Sequence, residues 1–138
     1  MRLSLFLLAA LVAALVPAIA LAGPQKGSLH ATLTGKAETP KGDPDGRGTA
    51  EIKITGRRVC WQITFSKIGK PNAAHIHKGR PGTAGPVFVP LGSVFKAKGC
   101  TTATAAAARA ILAHPTRYYV NVHNAKYPNG ALRGQLHS

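Results

Sequence analysis

The sequence predicts an all-β protein, an antiparallel β-sandwich of Greek-key type that carries one brief helix. Three observations predict it. Beyond the first 22 residues, six to eight short β-like runs are separated by glycine- and proline-rich punctuation. In the run "VCWQITF", Val59, Trp61, Ile63 and Phe65 alternate with Cys60, Gln62 and Thr64, the period of a half-buried strand. A single stretch, "AAAARAILAH", has the composition of a helix.

The elements follow in order. Residues 1–22, "MRLSLFLLAALVAALVPAIALA", place one positive charge before an apolar run that ends in the A-x-A-like Ala20-Leu21-Ala22, which predicts a secretory signal peptide. An uncleaved membrane anchor is the alternative; Pro17 and the lack of a basic stop-transfer flank argue for cleavage. Residues 23–138 then form one small domain. Its first strand is "LHATLTG", followed by the turn-rich "ETPKGDPDGRG" and a second strand, "TAEIKI". The short "TGRR" predicts a hairpin that pairs "TAEIKI" with "VCWQITF". "AAHIH" and "PVFVPLG" come next, separated by the loop "KGRPGTAG". Thr104 is placed to cap the alanine-rich helix and Pro115 to end it. "RYYVNVH" and "ALRGQL", joined by "NAKYPNG", complete the chain.

Cys60 and Cys100 are the only cysteines. In an exported chain they predict a disulfide that stabilises the fold by about 3 to 4 kcal/mol on the chain-entropy model. Free thiols or metal ligands are the alternative, without any CxxC spacing to support them.

Lys and Arg number 18 against four acids, a formal charge of +14. Such a field attracts polyanions, and an anionic cell-envelope polymer or surface is the expected partner class, unless the charges only solvate a small β-protein. The basic residues are scattered, without a run of five or more and without interleaved aromatics, so no specific nucleic-acid partner is expected. Nucleophile elbows, paired carboxylates and phosphate-cradling glycine loops are missing from the sequence. Four carboxylates are too few for a calcium or magnesium cage, and "GDPDG" reads as a turn.

One constellation carries chemistry. Residues two apart on a strand project to the same side, so His75 and His77 face one way and Ala74 and Ile76 the other. In "YYVNVH", Val120 and Val122 supply the core face, which leaves Tyr119, Asn121 and His123 on the outer one. Were the two strands near neighbours, His75, His77 and His123 would gather on one solvent-facing surface. Three imidazoles suit copper or zinc and leave a coordination position open. The competing reading is a structural polar cluster, with His75 on a loop carbonyl, His77 against Tyr127 and His123 holding the "NAKYPNG" loop. His30, His114 and His137 lack a paired spacing and read as surface or helix-end residues.

The segments "LTGKAETP", "AAHIHKGRPGTAGPVFVPL" and "YYVNVHNAKYPNGALRGQL" resemble, in order, the signature of the chordin-type CHRD domain, over Leu29 to Leu136. The resemblance implies an immunoglobulin-like β-sandwich in a secreted or periplasmic, extracellular setting. "VCW" and "KGC" look like the cysteine-bearing variant of this domain found in exported bacterial proteins. Glu38 and Arg133 fall in two of the matching segments and are expected to form a structural ion pair between the first and last strands. A second resemblance is weaker. The order of HxH, a later Val-x-His-like strand end and a C-terminal arginine is similar to the copper half of Cu/Zn superoxide dismutases, which implies His75, His77 and His123 as ligands and Arg133 as an anion guide. The loop "KGRPGTAGP" departs from that pattern, having neither histidine nor aspartate for a second metal.

Three readings of function follow: a non-catalytic binding module of the CHRD type, with a copper or zinc ion held by the three histidines; a copper-dependent redox enzyme on the same residues; and a structural or adhesive basic protein of the cell envelope.

Overall fold

A computed structural model describes residues 23–138. The expected signal peptide, residues 1–22, lies outside the described residues. Eight strands are β1 (Lys26–Thr34), β2 (Arg47–Thr55), β3 (Arg58–Ser66), β4 (Pro71–Lys78), β5 (Val87–Pro90), β6 (Lys98–Thr102), β7 (Tyr118–Asn124) and β8 (Leu132–Gln135). One helix, α1 (Ala105–Ala113), lies between β6 and β7. All strand pairings are antiparallel, in the order β5-β4-β7-β8-β1-β2-β3-β6.

The antiparallel all-β class and the disulfide are as the sequence predicts, and so is the one α-helix among the described residues. β1, β2 and β3 are consecutive neighbours and β8 returns beside β1, the arrangement that underlies a Greek key. The two layers of the sandwich are parts of one continuous sheet. Its inward residues form a single cluster that includes Leu33, Ile52, Ile54, Val59, Trp61, Ile76, Val89, Val120 and Leu132. A flat sheet of eight strands spaced about 4.8 Å apart would hold its two edges roughly 30 Å from each other, so a single shared core requires the sheet to fold over on itself. Residues 91–97 close the open side. Leu91 and Phe95 donate backbone bonds to Ala74 and Asn72 of β4, while the Ala97 carbonyl accepts from Ile63 of β3. Trp61 Nε1 donates to the Lys96 carbonyl at 2.7 Å, which satisfies the polar atom of the largest core side chain at this seam.

The "TGRR" hairpin forms with Thr55 opposite Arg58 and Gly56 at φ +57°. Thr104 caps α1, its hydroxyl accepting from the Ala107 amide at 3.0 Å. Ala107, Ala108 and Ile111 face inward. The alanines give the segment its helical propensity, and Pro115 cannot extend it. β6 is the strand that apolar alternation does not reveal. "KGCTT" has no hydrophobic period, and it is held at the sheet edge by pairing with β3, where Cys100 stands directly opposite Cys60 and is bonded to it.

Candidate metal centre

His75 and His77 project from β4 and His123 from β7, all on the side away from the core. In the β4–β7 register, Ala73 stands opposite His123 and His75 opposite Asn121. His75 and His123 are therefore diagonal neighbours, a relation that long and aromatic side chains bridge. Their rings approach so that His75 Nδ1 lies 3.1 Å from His123 Nε2. Each of the three histidines offers a nitrogen, and these nitrogens all lie within 4.8 Å of one another.

Main-chain carbonyls set the ring orientations. His77 Nδ1 lies 2.8 Å from the Gly85 carbonyl and His123 Nδ1 lies 2.9 Å from the Pro128 carbonyl. A carbonyl only accepts, so both Nδ1 atoms carry the proton and both Nε2 atoms keep a lone pair. Nε2 of His77 is buried and has no hydrogen-bond partner. Its ring stacks on Tyr119 at 5.0 Å with planes 8° apart, and the Tyr119 hydroxyl accepts from the Gly85 amide at 3.1 Å. One loop therefore positions both the His77 ring and the Tyr119 ring beneath it. Gly85 also has to be glycine for a steric reason, since a Cβ there would run into the Lys78 carbonyl.

Burial keeps the cluster neutral. Removal from water lowers the His75 pKa to about 4, with the positive charges that His123 and His77 would carry as further causes. Burial likewise lowers His77 and His123, partly opposed by their bonds to the Gly85 and Pro128 carbonyls. Neutral imidazole is the metal-binding form, so the site presents lone pairs at neutral pH.

The donor set fits a soft or borderline transition ion. Two nitrogens bonded to one ion at about 2.0 to 2.1 Å lie about 3.4 Å apart in a tetrahedral site and at most about 4.2 Å apart when trans, so the widest spacing in the cluster, 4.8 Å, has to close by at least roughly half an ångström and by about 1.4 Å for tetrahedral zinc. Carbonyl partners behind ligating imidazoles are the usual orienting arrangement.

The outer face at β7 differs from the wet surface that strand alternation predicts. Tyr119 is 3% exposed and Asn121 2%, and the three histidines are half-buried. Loops 79–86 and 125–130 and the segment around Glu38 cover this side. His77 packs on Tyr119 rather than Tyr127, whereas His123 does hold the "NAKYPNG" loop through Pro128.

Glu38 and Arg133, expected to form an ion pair, are coupled through charge, while the side-chain hydrogen bonds of each go to other groups. Arg133, 1% exposed, donates to the Thr83 and Arg80 carbonyls at 2.8 and 2.7 Å and to Gln135 Oε1 at 3.1 Å. Its guanidinium carbon sits 3.5 Å from the centre of the Tyr119 ring. Glu38 Oε1 instead accepts from Asn121 Nδ2. Burial pushes the Glu38 carboxyl up to about 8 against the attraction of Arg133. With its guanidinium bonded to the loop carbonyls, Arg133 clamps residues 80–83.

His30, His114 and His137 stand away from the cluster, as expected, and are exposed. Sequence reasoning missed the parts played by Gly85, Pro128 and Gln135. Gln135 Nε2 lies within hydrogen-bond distance of the carbonyls of Gly79, Thr116 and Tyr118. Main-chain acceptors supplied by loops leave no pattern in the sequence.

The family model of the CHRD domain matches residues 29–136. No curated protein and no solved structure matches the chain.

Proposed function

The chain belongs to the CHRD domain family, and from that premise we propose that it is a non-catalytic binding module whose ligand is a copper or zinc ion held by His75, His77 and His123. The observation that carries this reading is the Nε2 atom of His77, buried without a partner beside two other imidazole nitrogens. A buried polar atom left unpaired costs about 1 to 3 kcal/mol, and a metal bond removes that cost. In a purely structural cluster all ring nitrogens would be expected to find partners. His75 is the ring that changes on binding: without an ion its Nδ1–H donates to His123 Nε2, and with one the proton moves to its own Nε2. The Gly85 and Pro128 carbonyls hold the other two rings ready.

The redox reading has less support. Arg133, the cation that this reading needs as an anion guide, is 1% exposed and donates to loop carbonyls, and Glu38 is a buried carboxyl. Export belongs to the proposal: residues 1–22 act as a cleaved signal, and the domain 23–138 works in the periplasm, at the envelope surface or in the medium. The Cys60–Cys100 disulfide supports an oxidising compartment. Among the described residues no helix is long and apolar enough to cross a membrane.

The test is calorimetric titration of untagged, chelator-stripped protein with Cu²⁺ and Zn²⁺, together with electron paramagnetic resonance of the copper form. One equivalent should bind at sub-micromolar Kd with nitrogen hyperfine structure, and His75→Ala or His123→Ala should weaken it by at least about a hundredfold. Affinity unchanged in both variants would overturn the assignment.

A further inference from the structure

On another side of loop 79–86, away from the three histidines, Arg80, Arg117, His114 and His137 line an open cleft of about 520 Å³, together with Pro81, Thr116 and Gln135. None of the four carboxyl side chains, Glu38, Asp43, Asp45 and Glu51, lines it, and neither does Ser138. In a chain with 18 Lys and Arg, exposed basic side chains are expected everywhere. What sets this group apart is that four cation-capable side chains from three separate segments surround one concavity, on a backbone that is already fixed.

The fixing is extensive. Arg133 holds the Arg80 carbonyl, Gly79 donates to the Arg117 carbonyl at 2.8 Å and Arg117 donates to the His114 carbonyl at 3.0 Å. Gln135 Nε2 lies near the carbonyls of Gly79, Thr116 and Tyr118 and so ties the loop to the turn Pro115–Arg117. His137 and His30 exchange both backbone bonds, at 2.8 and 2.9 Å, which holds the end of the chain against β1. The backbones carrying the four side chains thus lose little further freedom on binding, and a pre-organised site keeps more of its interaction energy as affinity. Two arginines present planar donor forks, which match the oxygens of phosphate or sulfate. The neighbouring cleft shares Pro81 and Gln135 and adds Lys36 and Lys41. Its one acid, Glu38, is buried beside Asn121.

We infer that the cleft between loop 79–86 and the turn Pro115–Arg117 is a binding site for phosphate- or sulfate-type oxyanions, with Arg80 and Arg117 as the principal donors and His114 and His137 beside them. The cleft shares no lining residue with the three-histidine cluster, and its ligand is either a free anion or an anionic group carried on a polymer.

The experiment titrates the full domain with inorganic orthophosphate, sulfate and short-chain polyphosphate, followed by calorimetry and by backbone amide shifts. Shifts should centre on residues 79–82, 114–117 and 135–137. The variant Arg80→Ala/Arg117→Ala should lose at least about tenfold in affinity, while Lys53→Ala/Lys98→Ala, which removes the same formal charge from the exposed face of the sheet, should keep it. Binding of orthophosphate or sulfate with this pattern assigns a free anion; binding of polyphosphate alone with this pattern assigns a polymer. Equal losses in the two double variants, or no binding by the parent protein, would overturn the inference. Both arginine side chains are exposed, and an unchanged thermal midpoint confirms that the first variant still folds.

Discussion

Lys53 and Arg133 both point to the outer side of the same sheet, yet Lys53 stands in solvent while Arg133 is 1% exposed. The contrast extends to their whole neighbourhoods. Across β1, β2, β3 and β6 the outward rows are almost entirely exposed, as in Lys26, Thr32, Thr49, Lys53, Gln62 and Lys98. Across β4, β7 and β8 the outward positions hold His75, His77, Tyr119, Asn121, His123 and Arg133, each buried or half-buried. The first region is linked by the two-residue turn between β2 and β3; the second is covered by loops 79–86 and 125–130 and by the segment near Glu38. Strand alternation decides which side a residue faces. Whether that side is wet depends on the loops, and most polar groups under a roof find partners, with His77 Nε2 and Asn121 Oδ1 the exceptions among the described residues.

The largest effect should come from Arg133→Ala. It removes three hydrogen bonds and a stacked cation from the covered region, and urea unfolding should show a loss of about 3 to 5 kcal/mol. A loss below about 1 kcal/mol would mean that the covering loops hold themselves. Breaking the disulfide through Cys60→Ala/Cys100→Ala should cost about 3 to 4 kcal/mol, because it frees a loop of 40 residues in the unfolded chain. It lies in the open region, so metal affinity should be unchanged; altered affinity would show that the two regions are coupled.

The pH dependence of the metal-free protein should have two limbs of opposite sign. The unfolded chain takes up protons on its histidines below about 6.5, while folded His75 resists until about 4. Stability therefore falls as pH drops through that window, and His75→Gln should flatten this limb. Folded Glu38 keeps its proton up to about 8, whereas the unfolded residue releases it near 4.5. Its contribution is complete below 4.5 and is lost as pH rises toward 8, and Glu38→Gln should remove that slope. Denaturant midpoints across pH 4 to 9 for the parent and both variants check the signs. The smallest effect belongs to Lys53→Ala, within about 0.5 kcal/mol.

Gly130 shows how closely the covered region is fitted. Its φ of +134° is one that side-chain-bearing residues rarely adopt, and a Cβ there would collide with Glu38 and Asn121. The sequence "PNG" reads as a turn on composition alone. Nothing in it reveals a buried carboxyl and amide on the other side of the glycine.

By itself the sequence determined the positions of the strands other than β6, the hairpin at Gly56, the cap at Thr104 and the side on which each histidine of the cluster projects, because these depend on local periodicity and turn chemistry within a few residues. It could also nominate His75, His77 and His123 together, since each shares its strand with core residues that face the other way. Tertiary structure alone decided that β4 and β7 are neighbours, that Cys100 sits opposite Cys60 on a strand without a hydrophobic period, and that carbonyls of Gly85 and Pro128 turn two of the imidazoles. Those outcomes depend on contacts between residues far apart in the chain and on main-chain atoms, which every residue type supplies alike.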